Sequence, residues 1–167
     1  MSSKKSSKAA AYNPEKAVAL NRRGRFNYDI EESMEAGLEL TGTEVKSARA
    51  GGVQIAEAYA RIEQGPGNGP EVWLHGMHIA PYEQGNVFNA EPRRKRKLLL
   101  HRDQINRLAG RVQQKGYTLV PLKFYFTRGK AKLELGVGKG RKTVDKRRAI
   151  TERETRRDMQ KAISDRR

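Results

Sequence analysis

The chain has 167 residues, a length that fits one domain with extensions at its ends better than two full domains. Its 35 lysines and arginines outnumber 19 aspartates and glutamates, and the formal net charge of +16 favours a phosphate-rich partner such as nucleic acid. There is no cysteine and no long apolar run, which excludes disulfides, thiolate chemistry and membrane spans. A cytoplasmic protein that does not bind a membrane is expected.

Residues 1–20 are expected to form a flexible basic arm. The arm begins with a Ser/Lys tract that has nothing to bury, and Asn13-Pro14 then predicts the start of a short helix. A basic cluster at 21–25 follows and opens the body of the protein, which we assign to residues 21–137.

The first half of the body is rich in predicted strands. Apolar and polar residues alternate from Phe26 to Glu31 and again at 38–41, as in strands with one buried face. Residues 42–50 have helical spacing and end at a glycine pair. Residues 53–62 and 71–79 predict a hairpin, because a turn rich in glycine and proline separates them.

The second half begins with an irregular surface loop at 81–89 and a basic block at 93–97. A helix is predicted over 101–115, where apolar residues recur at helical spacing before a glycine. Residues 118–126 and 131–137 alternate around a short turn and predict a final hairpin. The apolar residues of its first strand are expected to share one face: Val120, Leu122, Phe124 and Phe126.

Short strands joined by glycine-rich turns predict a mainly β fold with flanking helices, for which a small antiparallel OB-like barrel is a natural closed form. Residues 138–167 are predicted to form a basic tail, with a helix start at Thr151 where the spacing matches a capping box. Its apolar content is little more than Ile150, Met159 and Ile163. The tail is therefore expected to be disordered alone or helical on a charged partner.

Motifs that would indicate an enzyme are incomplete. Residues 136–143 nearly match a nucleotide-binding P-loop, but Arg141 replaces the second glycine and an antiparallel hairpin precedes the motif. His75 and His78 would lie on opposite faces of a strand, and no cysteine completes a set of metal ligands. We expect no catalytic activity, no metal and no cofactor.

Three basic clusters, at 22–25, 93–97 and 139–148, are stronger evidence of function than these motifs. Aromatic or amide residues such as Tyr28 and Phe88 accompany the first two, a mixture that stacks on unpaired bases while cations hold the backbone. No helix-turn-helix pattern is present, so RNA is favoured over duplex DNA.

Several motifs resemble, in order, the small protein B family of bacterial proteins that bind transfer-messenger RNA. They are Asn21-Arg22, Tyr28-Asp29-Ile30-Glu31-Glu32, Glu35-Ala36-Gly37, Gly42-Thr43-Glu44-Val45-Lys46-Ser47, Pro81-Tyr82 with Asn89, Lys97-Leu98-Leu99-Leu100, Gly116-Tyr117-Thr118-Leu119-Val120-Pro121-Leu122 and Asp145-Lys146-Arg147. The match runs from about residue 21 to the C-terminus.

The resemblance implies an OB-like barrel and a role in trans-translation. The barrel would bind the tRNA-like domain of transfer-messenger RNA, and the pair would enter a stalled ribosome with elongation factor Tu and GTP. The tail would occupy the decoding centre of the small subunit and the empty message channel. A monomer is expected.

The resemblance and the basic clusters assign RNA-binding positions in the body to Asn21, Arg22, Tyr28, Glu35, Lys46, Asn89, Arg94, Arg96 and Lys97. They assign ribosome-binding positions in the tail to Lys139, Gly140, Arg141, Lys142, Val144, Asp145, Lys146, Arg147, Met159 and Ile163. Two tail positions depart from the family pattern. Val144 stands where tyrosine or histidine is common, and Gly138 stands where alanine is usual.

A second interpretation is a structural ribosomal protein with an OB-like body and an extension threaded through ribosomal RNA. Such a protein would sit on every ribosome, whereas an adaptor would be substoichiometric and follow stalled complexes. A third, an NTPase, would require nucleotide turnover that Lys142→Ala abolishes.

Overall fold

The computed structural model describes residues 17–67 and 69–165. Over these residues the strands are β1 (Ala19–Leu20), β2 (Tyr28–Leu38), β3 (Val53–Gln54), β4 (Tyr59–Gln64), β5 (Pro70–His75), β6 (His78–Ile79), β7 (Arg96–Leu99), β8 (Tyr117–Thr127) and β9 (Lys130–Gly140). The α-helices are α1 (Arg22–Asn27), α2 (Gly42–Arg49), α3 (Arg102–Gln113) and α4 (Thr143–Ser164), and Glu83–Phe88 forms a 3-10 helix. Most of the predicted basic arm, including Asn13-Pro14, lies outside the described residues.

Seven of the described strands form one antiparallel sheet, and the pairing of β8 with β9 joins six of them into a closed ring. The strand order is β1-β8-β4-β5-β7-β2-β9, and β8 pairs with β9 as well as with β4. β3 and β6 form a separate two-stranded sheet. The interior is apolar and includes the fully buried side chains of Leu74, Met77, Leu98, Phe124 and Leu133. The predicted mainly β antiparallel fold with flanking helices is confirmed.

Both predicted hairpins are present, but the prediction of continuous strands at 53–62 and 71–79 is wrong, because residues 55–58 and 76–77 interrupt them. β4 and β5 pair from Tyr59 opposite His75 to Gln64 opposite Pro70, on either side of the turn rich in glycine and proline. β8 and β9 turn at Arg128 and Gly129, both of which have positive φ. Positive φ at both turn residues matches the twist of a two-residue hairpin connection.

The helices α2 and α3 also follow the sequence. Thr41 and Glu44 form a capping box at the start of α2, because each side chain binds the other residue's backbone N–H. The helix α3 is amphipathic and buries Ile105 and Leu108 against the core. The helix α3 therefore covers the sheet through a narrow apolar stripe, whereas α2 buries Glu44, Ser47 and Ala48.

The strand predicted to start at Phe26 is wrong in its first two residues, which lie in α1. Asn21 caps α1, since its side-chain oxygen accepts the N–H of Gly24 at 2.7 Å and its amide donates to the carbonyl of Pro121 at 2.8 Å. β2 then runs from Tyr28 to Leu38 as one strand, so the strand predicted at 38–41 is also wrong beyond Leu38. The binding of Asn21 to β8 therefore decides that Phe26 and Asn27 are helical, in spite of the alternating pattern of the local sequence.

The prediction that one face of β8 carries its apolar residues is also wrong. The register against β9 shifts between Pro121 and Lys123, which leaves Leu122 as an extra residue, a β-bulge. The bulge reverses the alternation of faces, so Leu119 and Phe124 both join the central core cluster. Leu122 packs on the other side of the sheet, where its side chain closely approaches Gly136.

The last strand continues beyond its predicted end at Val137. β9 reaches Gly140 because its final residues pair with β2 on one side and with β8 on the other. The N–H of Arg141 then donates to the carbonyl of Asn27 at 2.8 Å. α4 begins at Thr143, earlier than the predicted start at Thr151, and buries none of its residues.

Within the described ranges, no helix combines the length and the apolar character needed to cross a bilayer.

Candidate RNA-binding surfaces

One polar cluster lies on the outer face of β2, β8 and β9 and includes the predicted position Glu35. The carboxylate of Glu35 accepts a hydrogen bond from the hydroxyl of Tyr125 and lies 3.4 Å from the ammonium of Lys132. Lys123 stands over the Tyr125 ring, 5.1 Å from its centre. Burial, together with the hydrogen bond to Glu35, raises the pKa of Tyr125, so the phenol stays protonated. The carboxylate of Glu35 is thereby bound to one phenol and one cation, and a second cation lies against the ring of that phenol.

An open cleft of about 780 Å³ begins beside this cluster. Glu35, Lys97 and Lys132 line it together with Leu99, which is 52% exposed, and the first turn of α3. Lys97 is partly covered, with its ammonium 2.9 Å from the Glu71 carboxylate. The cleft joins cations to an exposed apolar side chain, as a site for a phosphate backbone with an adjoining sugar or base requires.

A second cluster surrounds Tyr117 at the base of the tail. The ring lies between two cations, with the guanidinium of Arg111 at 4.5 Å and the ammonium of Lys139 at 4.6 Å from its centre. Its hydroxyl donates to the carboxylate of Glu31, which Arg111 also binds at 2.6 Å. The Tyr117 hydrogen bond and the Arg111 contact lower the pKa of Glu31, although partial desolvation opposes them. Tyr28 pairs with Gly140 on the neighbouring strand and therefore lies close to this cluster.

Sequence reasoning did not select Tyr117 as a site residue. Its position at the start of an alternating strand gives no sign that α3 and β9 each place a cation against its ring. The available signal was the pairing of β8 with β9, which sets Tyr117 directly opposite Lys139.

The arginines of the basic block have internal partners. Arg96 is fully buried and donates to the Glu44 carboxylate at 2.8 Å and to the carbonyl of Met77 at 2.7 Å. Arg94 binds the same carboxylate through two nitrogens at 2.9 Å and 2.6 Å. Burial opposes ionisation of Glu44, but the bonds from Arg94, the Thr41 amide and Arg96 lower its pKa overall. The guanidinium of Arg96 therefore faces the interior and not the solvent.

The two predicted asparagines also bind the protein itself. Asn21 is buried in its role as the cap of α1. The side chain of Asn89 accepts the N–H of Tyr82 at 2.9 Å and donates to the carbonyls of Tyr82 and Asn86 at 2.9 Å and 3.3 Å. These contacts set the shape of the backbone around each asparagine.

The other predicted cations of the body face solvent. Arg22 is exposed on α1. Lys46 is exposed on α2, with its ammonium 5.5 Å from the centre of the Tyr82 ring. Both are placed where a phosphate can reach them.

The predicted tail residues fall into a paired segment and a free helix. Lys139 and Gly140 belong to β9, Arg141 is tied to Asn27 by its backbone, and Lys142 is the residue before α4. The others lie on α4: Val144, Asp145, Lys146, Arg147, Met159 and Ile163. Val144, Met159 and Ile163 are 59%, 62% and 64% exposed. Met159 and Ile163 are four residues apart and so share one helix face.

The alternative motifs receive no geometric support. Gly136 and Gly138 lie inside β9, so the near-match to a P-loop is a paired strand with no loop for a phosphate. His75 donates from Nε2 to the carboxylate of Glu63 at 2.7 Å and stacks on Tyr59, on a different strand from His78. In the described part of the chain, no group of three or more acidic or histidine side chains is arranged to hold a metal ion.

Known proteins are similar to this chain over most of its length. The model of the family described as SmpB protein matches residues 18–165. An SsrA-binding protein of Caldicellulosiruptor saccharolyticus is 55% identical over 150 residues, covering 90% of this chain and 92% of the relative. The SsrA-binding proteins of Acetivibrio thermocellus and Geobacillus thermodenitrificans are 52% and 51% identical, each covering 90% of this chain and 94% of the relative.

A solved structure is similar as well. A chain from the structure described as "tmRNA-SmpB: a journey to the center of the bacterial ribosome" is 54% identical, with a TM-score of 0.60. The similarity covers 74% of this chain and 84% of that chain. The family match spans the described sheet and all four α-helices. The chain therefore belongs to the SmpB protein family.

Proposed function

We propose that this chain is a non-enzymatic adaptor that binds the tRNA-like domain of transfer-messenger RNA and delivers it to stalled ribosomes for trans-translation. The observation that carries the proposal is the division of exposed charge between two parts. The sheet presents the clusters around Glu35 and Tyr117, whereas α4 buries no residue and leaves its cations free for another partner. Relatives called SsrA-binding proteins support the choice of RNA.

The body is proposed to hold the RNA. Arg22, Lys46 and Lys132 offer positive charge to phosphates, and Tyr28 lies at the start of β2, close to the Tyr117 cluster. Glu35 orients Lys132 and Tyr125, and its carboxylate is available to accept hydrogen bonds from ribose hydroxyls or base amino groups. Asn21, Asn89 and Arg96 act from beneath this surface by fixing the backbone that carries it.

The tail is proposed to engage the ribosome. The 22 residues of α4 span about 33 Å at 1.5 Å per residue, and cations cover much of the surface of the helix. In our proposal α4 runs through the decoding centre into the empty message channel. The protein acts as a monomer in the cytoplasm, with elongation factor Tu and GTP accompanying the complex.

Truncation after Gly140 tests this division. The cut keeps every residue of β9, so the variant should fold and bind a transcript of the tRNA-like domain with nearly unchanged affinity. It should fail to support peptide tagging in a reconstituted translation reaction on a message without a stop codon. A folded variant that no longer binds the transcript would contradict the division. A cut after Gly136 is unsuitable, because it removes residues of β9 that pair with both neighbouring strands.

Substitutions in the body should have the opposite effect. Tyr28→Ala and Glu35→Ala should weaken binding of the transcript while leaving the tail intact. Unchanged affinity in both variants would remove these residues from the site.

Protein stoichiometry and copurifying RNA test the alternative of a structural ribosomal protein. The adaptor should copurify with one dominant tRNA-like RNA and be present on a small fraction of ribosomes. Equal amounts of the protein and of ribosomes would favour the structural role.

A further inference from the structure

The loop of residues 80–95, between β6 and β7, holds the two most exposed large apolar side chains of the described residues. Val87 is 88% exposed and Phe88 is 82% exposed. They lie at the end of the 3-10 helix Glu83–Phe88, directly before Asn89. Exposed aromatic rings placed side by side with an aliphatic group are a common sign of a binding surface.

The loop is held in one shape by its own hydrogen bonds. Asn89 closes it through bonds to the N–H and the carbonyl of Tyr82, and the buried Gly85 donates its N–H to the same carbonyl at 2.9 Å. Asn86 adopts a positive φ of 46°, which turns the chain just before the exposed pair. The carbonyl of Phe88 accepts a hydrogen bond from Thr43 on α2 at 3.3 Å. The ring of Phe88 is therefore displayed from an ordered backbone.

The size and surroundings of this tip favour a nucleic-acid base over a protein partner. A stable protein interface needs roughly 800 Å² from each side, which two side chains cannot supply, whereas one aromatic ring is enough to stack on a base. Lys46 stands beside the loop with its ammonium over Tyr82, within reach of the phosphate next to a stacked base. The net charge of +16 also favours RNA.

From these observations we infer that Phe88, supported by Val87, stacks on an unpaired base of the bound RNA. The inference rests on the proposed function and gives a specific contact to Phe88, which the sequence placed only among the residues that accompany a basic cluster. In this arrangement Asn89 is a positioning residue, because its side-chain oxygen and amide are already bound to the loop. Lys46 supplies the neighbouring phosphate contact.

The test is to measure affinity for a transcript of the tRNA-like domain over a range of salt concentrations. Phe88→Ala should weaken binding about 5- to 150-fold, the range expected for loss of one base stack, without changing the slope against salt. Lys46→Ala should instead reduce that slope by about one. Tyr59→Ala is the matched control, since it removes a 46% exposed aromatic side chain on β4 that belongs to neither polar cluster and should leave affinity unchanged.

Two further variants separate stacking from folding. Phe88→Trp should restore the affinity, and its added fluorescence should be quenched when the RNA binds. Asn89→Ala should weaken binding less than Phe88→Ala, because it loosens the loop without removing the ring. All variants should keep the thermal unfolding midpoint of the unchanged protein within a few degrees, except Asn89→Ala, which should fall slightly below it.

Several outcomes would overturn the inference. They are affinity of Phe88→Ala within twofold of the unchanged protein, the same loss in Phe88→Trp as in Phe88→Ala, or a loss seen only in binding to purified ribosomes. If the unchanged protein itself does not bind the transcript, the proposed function fails with it. The two failures are therefore distinguishable.

Discussion

Arg96 and Glu44 form a buried ion pair in which Nε and Nη2 of the arginine donate to one carboxylate oxygen at 3.0 Å and 2.8 Å. Glu44 lies in α2 and Arg96 in β7, so the pair fastens the helix to the sheet. Arg94 binds the same carboxylate from the solvent side. Arg94 and Arg96, two cations of the basic block at 93–97, are therefore bound within the protein.

Loss of this carboxylate should destabilise the body strongly. Glu44→Ala should lower the free energy of unfolding by about 3–5 kcal/mol, because it leaves the buried guanidinium of Arg96 without its counter-charge. Urea unfolding followed by circular dichroism measures the change. Glu39→Ala is the matched control, since Glu39 is exposed and its substitution should change stability by less than about 0.5 kcal/mol. Equal stability of the two variants would contradict the structural role of the pair.

The same carboxylate should make stability sensitive to acid. The pKa of Glu44 in the folded protein lies below its ordinary value of 4.5, so the folded state binds the proton less well than the unfolded state does. Its contribution is fully present above that value and is lost as pH falls through the lowered pKa. Urea midpoints measured from pH 7 downwards should fall less steeply on the acid side for Glu44→Gln than for the unchanged protein. Parallel curves for the two proteins would assign the acid sensitivity to other carboxylates.

Gly138 should be intolerant of a side chain in this protein. A methyl group there would clash with the carbonyl oxygen of Asp29 and lie 2.9 Å from its carbonyl carbon and 3.0 Å from Cα of Ile30. Gly138→Ala should cost roughly 1–3 kcal/mol of stability through overpacking against β2. Gly140→Ala is a close control, because a methyl group at Gly140 would meet nothing within 4 Å. Thermal unfolding of the two variants checks the contrast. Similar unfolding midpoints would contradict the prediction and show that the backbone of β2 shifts to make room for the methyl group.

The isolated tail should be a poor helix. A peptide of residues 143–165 has no core to pack against, and α4 buries no residue even in the whole protein. Its circular dichroism in water should show low helicity that rises when RNA or another polyanion is added. A peptide that is fully helical without a partner would contradict coupled folding and binding.

The regular elements were predictable where local pattern and long-range contacts agree. The capped helix α2, the amphipathic helix α3 and both hairpins follow from spacing and turn residues alone. Phe26 was assigned to a strand because nothing local reveals that Asn21 reaches Pro121, a hundred residues away, to cap a helix. The bulge at Leu122 was invisible for a related reason, since it depends on the register with a partner strand.

The candidate site was predictable by residue type more than by orientation. Exposed cations such as Arg22 and Lys46 lie where their charge suggested. Arg96, in contrast, occurs in a run of similar cations, and only the position of Glu44 on a separate helix draws it inside. The exposure of Phe88 likewise depends on the hydrogen bonds that shape its loop. Whether a side chain points into the core or towards solvent depends on contacts with residues that lie far away in the sequence.

The double pairing of β9 has a mechanical consequence for a protein whose tail extends from that strand. A pull on α4 along the axis of β9 reaches the hydrogen bonds to β2 and to β8 together, because both neighbours run antiparallel along its length. The force is shared in shear among many hydrogen bonds, so these bonds do not break one after another. Tension on the tail should therefore unwind α4 long before it extracts β9, and the body should survive forces that straighten the helix.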